Sequence, residues 1–221
     1  MRKLLLGDEA IAQAAIDSGL SGVYAYPGTP STEITEFIQL REEKRGEAQD
    51  KIFCRWATNE KTAMEGALGM SYMGKRALVC MKHVGMNVAA DPFVNSAMTG
   101  VNGGLVVVAA DDPSMHSSQN EQDSRFYGKF AMMPIFEPSS QQEAYEMTRA
   151  AFDLSEAVKL PVLMRVTTRM AHSRAVVNVT EEPRKQNEIS RPEDVRTWIL
   201  LPAFAKKRYV KLLEQQDDLM K

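Results

Sequence analysis

RALVCMKHVGMNVAADPFVNSAMTGVNGGLVVVAAD, residues Arg76–Asp111, is the stretch that decides the fold. It holds two continuous apolar runs, RALVCMKH (76–83) and GGLVVVAAD (103–111), with helical spacing between them from about Asn87 to Met98. A run with no polar alternation suits a strand covered on both faces of a parallel sheet. Two such strands joined through a helix form the crossover unit that parallel pairing requires. The same alternation extends in both directions. Downstream, the polar stretch DDPSMHSSQNEQDSR (111–125) precedes a short strand, MPIFEP (133–138), a helix over 139–158 and a strand, PVLMRV (161–166). Upstream, DEAIAQAAIDSG (8–19) reads as a helix with an acidic start and a glycine stop, and GVYAYPGTP (22–30) as a strand ended by Pro27 and Gly28. Thr29 then reads as an N-cap with Pro30 at the first helical position, opening a helix to about Lys44. The polar connection REEKRGEAQD (41–50), the strand IFCRWA (52–57) and a helix rich in small residues (58–74) complete the order. The expected fold is α/β, a mainly parallel sheet of about six strands with helices on both faces.

Composition excludes several classes. Net charge is −2 over 221 residues, with no basic tail, which argues against nucleic acid or an anionic membrane as the main partner. Hydrophobic residues at 44% and charged residues at 25% are globular values, and no apolar run is long enough for a membrane helix. MRKLLLGDEAIAQ does not read as a signal peptide. Cys54 and Cys80 lie in apolar runs and read as small buried hydrophobes in a reducing, cytoplasmic setting. The methionines clustered between Met64 and Met98 read as adaptable core filler. Beyond residue 178 the chain turns polar and proline-punctuated before a final amphipathic helix, roughly Pro202 to Asp217. Residues 1–178 are therefore read as one domain and 179–221 as a linker or arm, since some forty residues rarely fold alone.

Ligands of open parallel sheets bind at the carboxyl ends of the strands. Four segments qualify: YPGTPST, TNEKT, KHVGMNVA and DDPSMHSSQNEQDSR. The sequence has no dinucleotide fingerprint, no NTPase phosphate loop and no nucleophile elbow. Its histidines, His83, His116 and His172, are far apart without paired ligand spacing, which argues against a zinc site. Glu60 follows a strand at the start of a helix. On spacing alone it is a first-turn carboxylate stabilising a helix N-terminus.

Taken together and in order, YPGTPSTEI, TNEKTAMEGALG, KHVGMNVAADP and DDPSMHSSQNEQDSR resemble the N-terminal region of indolepyruvate ferredoxin oxidoreductase α subunits, thiamine diphosphate-dependent 2-oxoacid:ferredoxin oxidoreductases. The resemblance runs from about Lys3 to Val177 and implies the family's pyrimidine-binding fold. It implies that Glu60 sits against N1′ of the cofactor's aminopyrimidine and shares a proton with it, favouring the tautomer that removes the thiazolium C2 proton. Glu65, turned about 140° away on the same helix, is the rival carboxylate. Thr29 matches a threonine that points to the reaction centre, and Tyr26, Pro27 and Gly28 would shape the same loop. His83, Gly85 and Asn87 would line the cofactor pocket, while Gln119, Asp123 and Arg125 would reach the substrate or a subunit contact. Pyruvate-specific relatives carry a substrate-binding arginine where this chain has Asp111 and Asp112, which weakens a pyruvate assignment and leaves Arg125 as the candidate.

The resemblance implies a 2-oxo acid substrate, indolepyruvate or another aryl acid, with coenzyme A as acyl acceptor and ferredoxin as electron acceptor. The chain holds neither the G-D-G of a Mg²⁺–diphosphate domain nor a C-x₂-C-x₂-C cluster motif. Mg²⁺ and iron–sulfur clusters are thus expected on a further domain or on partner chains, such as a second oxidoreductase subunit. The assembly would be a homo- or hetero-oligomer, with the half-site at an interface and Glu60 buried only on assembly. Two alternatives stay open: a split-subunit decarboxylase of the sulfopyruvate or phosphonopyruvate type, and a non-catalytic α/β interaction module.

Overall fold

In the computed structural model, which describes residues 1–47, 50–192 and 194–220, the six strands read from the sequence form one wholly parallel sheet. They are β2 (Gly22–Ala25), β3 (Phe53–Trp56), β4 (Ala77–Lys82), β5 (Leu105–Asp111), β6 (Ile135–Phe136) and β7 (Val162–Thr167), in the order β3-β2-β4-β5-β7-β6. Central β5 is buried along its whole length. Its odd and even residues serve different cores, as strand geometry requires. Val106, Val108 and Ala110 pack with α1 (Gly7–Asp17), α2 (Thr32–Arg45) and α6 (Gln141–Val158). Leu105, Val107 and Ala109 pack with α3 (Glu60–Tyr72) and α4 (His83–Thr99), and Ala131 of α5 (Arg125–Ala131) joins that second core. Met64, Met81 and Met86 are fully buried there, as filler.

Two strands escape the sequence reading. β1 (Arg2–Leu6) pairs antiparallel with β8 (Arg174–Asn178), in register from Arg2↔Asn178 to Leu6↔Arg174, beyond the short helix α7 (Thr168–His172). Two helix boundaries also differ. Pro30 is not the first residue of α2. The Ser31 amide and hydroxyl both donate to the Gly28 carbonyl at 2.9 Å, closing a turn over Gly28–Ser31, and the helix begins at Thr32. Thr29 is therefore a turn residue rather than an N-cap, and its peptide with Pro30 is cis. On the other boundary, α4 begins at His83, four residues earlier than the spacing predicts, because the chain leaves β4 straight into the helix.

The segment after residue 178 is tied to the sheet's amino-terminal edge. The Arg184 amide donates to Asp17 O at 2.8 Å, Asn187 Nδ2 to Gly74 O at 2.9 Å, and the Ser190 amide to Met73 O at 2.9 Å. Trp198 stacks on Tyr72 with 4.4 Å between centroids. The final helix, α8 (Pro202–Leu219), buries Leu212 in the α3–α4 core and leaves most of its surface exposed. Parts of the polar connection read over 41–50 (Ala48 and Gln49) and of the arm (Glu193 and Lys221) lie outside the described residues.

Candidate functional site

The strand order places a crevice between β2 and β4. β2 hands the chain to α2 on one face of the sheet, and its neighbour β4 hands it to α4 on the other. Adjacent strands whose exits diverge in this way open a cleft at their carboxyl ends. Gly28 and Lys82 meet at its floor, where a β-carbon on Gly28 would stand 3.2 Å from Lys82 Cβ. Around this point lie the segments Tyr26–Thr32, Asn59–Thr62 and Lys82–Asn87.

Glu60 is the first residue of α3. Its helix is capped by Asn59, whose side chain accepts from the Thr62 amide at 2.9 Å, so Glu60 is released from capping duty. Its residue exposure is 9%, and no hydrogen bond reaches its carboxylate among the described residues. The expectation that Glu60 is buried only on assembly is corrected: α4 already covers it, because Gly85 lets the two helices close. A β-carbon at Gly85 would lie 2.6 Å from both Cγ and Oε1 of Glu60. Glu65 is exposed on another side of α3, as the helical turn requires.

His83 is fully buried beside this carboxylate's helix. Its Nε2 lies 3.1 Å from Asn120 O and donates to it, which leaves Nδ1 the acceptor, without a partner among the described residues. Asn87, one turn on, is exposed and accepts from the Tyr127 hydroxyl. Tyr26, Pro27 and Thr29 are exposed at the rim, and the Gly28 amide donates to Thr32 Oγ1 at 3.0 Å.

The fourth segment is pinned over the mouth. Lys82 Nζ donates to Ser117 O at 2.9 Å. Buried Asp112 accepts from the Ser117 amide (2.8 Å), Ser118 Oγ (2.6 Å) and Thr168 Oγ1 (2.7 Å). Burial alone would push the Asp112 carboxyl up. The hydrogen bonds from Ser118, Ser117, Thr168 and the His116 amide outweigh it and hold the group well below the usual carboxylate range. Of the candidate substrate residues, Gln119 is exposed, and Arg125 is committed to Asp123 at 2.7 Å and Glu137 at 3.4 Å. Sequence reasoning missed Arg165. It is 9% exposed and bridges Asp111 (Nε to Oδ2, 2.7 Å) and Glu137. An arginine inside the apolar run PVLMRV was its only signal.

A parallel doubly wound sheet whose polar loops gather at one carboxyl edge is a ligand-binding α/β domain. The family model described as "Pyruvate flavodoxin/ferredoxin oxidoreductase, thiamine diP-bdg" matches residues 13–206, and the chain belongs to that thiamine diphosphate-binding family. It is 48% identical over 219 residues to the indolepyruvate oxidoreductase subunit IorA of Archaeoglobus fulgidus, covering 97% of this chain and 34% of that protein. To the subunit of the same name from Thermococcus kodakarensis it is 46% identical over 223 residues, covering 99% and 34%. The chain thus spans about a third of the length of these relatives. The solved 2-oxoglutarate:ferredoxin oxidoreductase from Magnetococcus marinus, with 2-oxoglutarate, coenzyme A and succinyl-CoA bound, has the same fold. Its TM-score is 0.74 at 18% identity, covering 99% of this chain and 45% of that one. Among the described residues, no helix is long and apolar enough to cross a membrane.

Proposed function

We propose that this chain supplies the aminopyrimidine half of a thiamine diphosphate site in an indolepyruvate-type 2-oxoacid:ferredoxin oxidoreductase. The overall reaction is oxidative decarboxylation of an aryl 2-oxo acid to its acyl-coenzyme A, with electrons passing to ferredoxin. The observation that carries this reading is Glu60: a nearly buried carboxylate at a helix start, without a hydrogen bond among the described residues, at the mouth of the switch-point crevice. The relatives named as indolepyruvate oxidoreductase subunits support the substrate class.

The residues present fit an aminopyrimidine. The Glu60 carboxylate is largely covered and meets no donor among the described residues, so it is free to accept a hydrogen bond, which a protonated ring nitrogen would supply. Gly85 leaves room for the Glu60 side chain between the two helix starts, so the carboxylate is held in place yet reachable. When bound, thiamine diphosphate supplies a stabilised carbanion for attack on the 2-oxo carbonyl. This chain's own contribution is to hold the proton at Glu60, orient the ring between the Tyr26–Thr29 loop and α4, and close the mouth with the 112–121 segment. Residues 1–178 serve as the pyrimidine-binding domain, and 179–221 as an arm leading toward the diphosphate-binding domain. Mg²⁺, the diphosphate contacts and the iron–sulfur clusters belong to that further domain and to partner chains in a cytoplasmic oligomer.

Glu60→Gln in the assembled complex tests the reading. The amide keeps the shape and loses the proton site. Turnover of the 2-oxo acid is expected to fall by about 100-fold or more, the scale of one general acid–base group, with the thermal unfolding temperature unchanged. Unchanged turnover overturns the role of Glu60.

A further inference from the structure

A second cluster has no role in the reaction above. Asp8, in the first turn of α1, Glu33, in the first turn of α2, and His172, at the end of α7, each present one ligand atom, and these atoms lie within 4.8 Å of one another. Asp8 is completely buried, yet neither of its carboxylate oxygens has a hydrogen-bond partner among the described residues. Glu33 adds a third partnerless oxygen, Oε2, while its Oε1 lies 3.4 Å from His172 Nε2. Three of the five buried side-chain polar atoms that lack partners among the described residues therefore belong to this one cluster.

The electrostatics are unfavourable as they stand. Two carboxylates face one another at the edge of an apolar core, and burial together with the nearby Glu33 and Glu9 charges pushes the Asp8 carboxyl well up. An isolated buried carboxylate is among the costliest groups a fold can contain, and such groups are paired or coordinate metals. No lysine or arginine comes within ion-pair distance of Asp8 or Glu33 among the described residues; His172 is the only basic partner.

We propose that Asp8, Glu33 and His172 bind a first-row divalent cation such as Zn²⁺ or Mn²⁺. The donor set decides the class: two carboxylate oxygens and one imidazole nitrogen, with no thiolate, suit a first-row ion, whereas Mg²⁺ and Ca²⁺ prefer all-oxygen shells. The spacing is suitable. Ligands about 2.1 Å from a tetrahedral ion stand about 3.4 Å apart, and the three ligand atoms, within 4.8 Å of one another, need only side-chain adjustments to reach that spacing. A cavity lined by His116, Thr168, Arg169, His172 and Ser173 opens beside the imidazole and provides an entry path. The ion would clamp α1, α2 and α7, three elements from opposite ends of the chain. Its place is structural: the three ligands belong to α1, α2 and α7, and none is among the residues assigned above to the thiamine site.

The test is thermal unfolding of the full chain after chelation, with Zn²⁺, Mn²⁺ or Mg²⁺ added alone. Zn²⁺ or Mn²⁺ at a hundredfold excess over its Kd is expected to raise the Tm by about 5 °C or more, and Mg²⁺ to do little. Glu33 and His172 are each about one-third exposed, so Glu33→Gln and His172→Ala are expected to fold normally and lose that rise. Asp8→Asn removes the buried charge and is also expected to lose it. A rise that persists in His172→Ala, or no rise with either ion in the unsubstituted chain, overturns the proposal; the second outcome leaves a proton shared by the carboxylates in place of a metal. The readout does not involve turnover, so it stands apart from the role of Glu60.

Discussion

Gly85 and Glu60 occupy one another's space: the volume that any side chain at Gly85 would need is taken by the Glu60 carboxylate, whose Oε1 would lie 2.6 Å from the added carbon. The glycine is required for a close approach between two helix starts, not for an unusual backbone angle.

Gly85→Ala is therefore a probe of the carboxylate's position. Alanine favours the helix by about 1 kcal/mol over glycine, while the flexible Glu60 side chain must swing away. Stability is expected to stay within about 1 kcal/mol of the parent, as read by denaturant unfolding. The concentration of thiamine diphosphate needed for half-maximal activity of the assembled complex is expected to rise at least tenfold. An unchanged requirement together with unchanged turnover would show that the position of Glu60 does not matter.

Arg165 links Asp111, which is fully buried, to Glu137. Arg165→Met leaves the buried Asp111 carboxylate without its cation, with only the Ser124 amide and hydroxyl donating to it. Breaking a buried pair in this way costs about 3–5 kcal/mol, equivalent here to a Tm lower by roughly 10 °C. Scanning calorimetry measures it directly. Arg165→Met combined with Asp111→Asn is expected to recover part of the loss, because the stranded charge is gone.

Asp112 predicts a pH dependence. Its folded pKa is depressed, so its contribution is fully present above the unfolded value of about 3.9 and is lost as pH falls through the lower folded value. Asp112→Asn is expected to cost about 2 kcal/mol near neutrality, where an amide nitrogen faces hydroxyl donors. That difference should shrink as pH falls below about 4, where the unfolded chain takes up a proton at Asp112 that the folded chain still refuses. Parallel unfolding curves across the acid range would count against it.

The assembled complex, isolated without oxygen through this chain, is expected to hold thiamine diphosphate and several irons per copy. Thiamine without iron would point to a split decarboxylase, and neither would remove the catalytic reading. Elemental analysis and cofactor extraction decide among the three.

Much of the scaffold is legible in the amino-acid sequence. The inner strands β4, β5 and β7 are visible as apolar runs, because a strand covered on both faces has to be apolar at consecutive positions, while the short edge strands β3 and β6 are half-exposed and legible from their bounding turns and aromatic residues. β1 and β8 were not: each is five residues long, and their pairing, Arg2 with Asn178, joins opposite ends of the chain. The Thr29–Pro30 signal pointed to a cap, yet a local turn held by Ser31 took those residues first. Glu60 was visible through its place after a strand and its resemblance. Its cover by Gly85, the tautomer imposed on His83 by Asn120 and the commitment of Arg125 to Asp123 were not.

The amino-acid sequence by itself determines the α/β alternation, the edge of the sheet on which the polar loops gather and the family, since these depend on periodicity and local order along the chain. The tertiary structure alone decides which charged groups meet. Asp8, Glu33 and His172 share no spacing that a ligand motif would reveal, and they come together only because α1, α2 and α7 pack against one another. Whether a carboxylate is solvated, paired or left waiting for a cation depends on what the fold places within a few ångströms of it. Electrostatic energies in a low-dielectric interior change steeply over that distance.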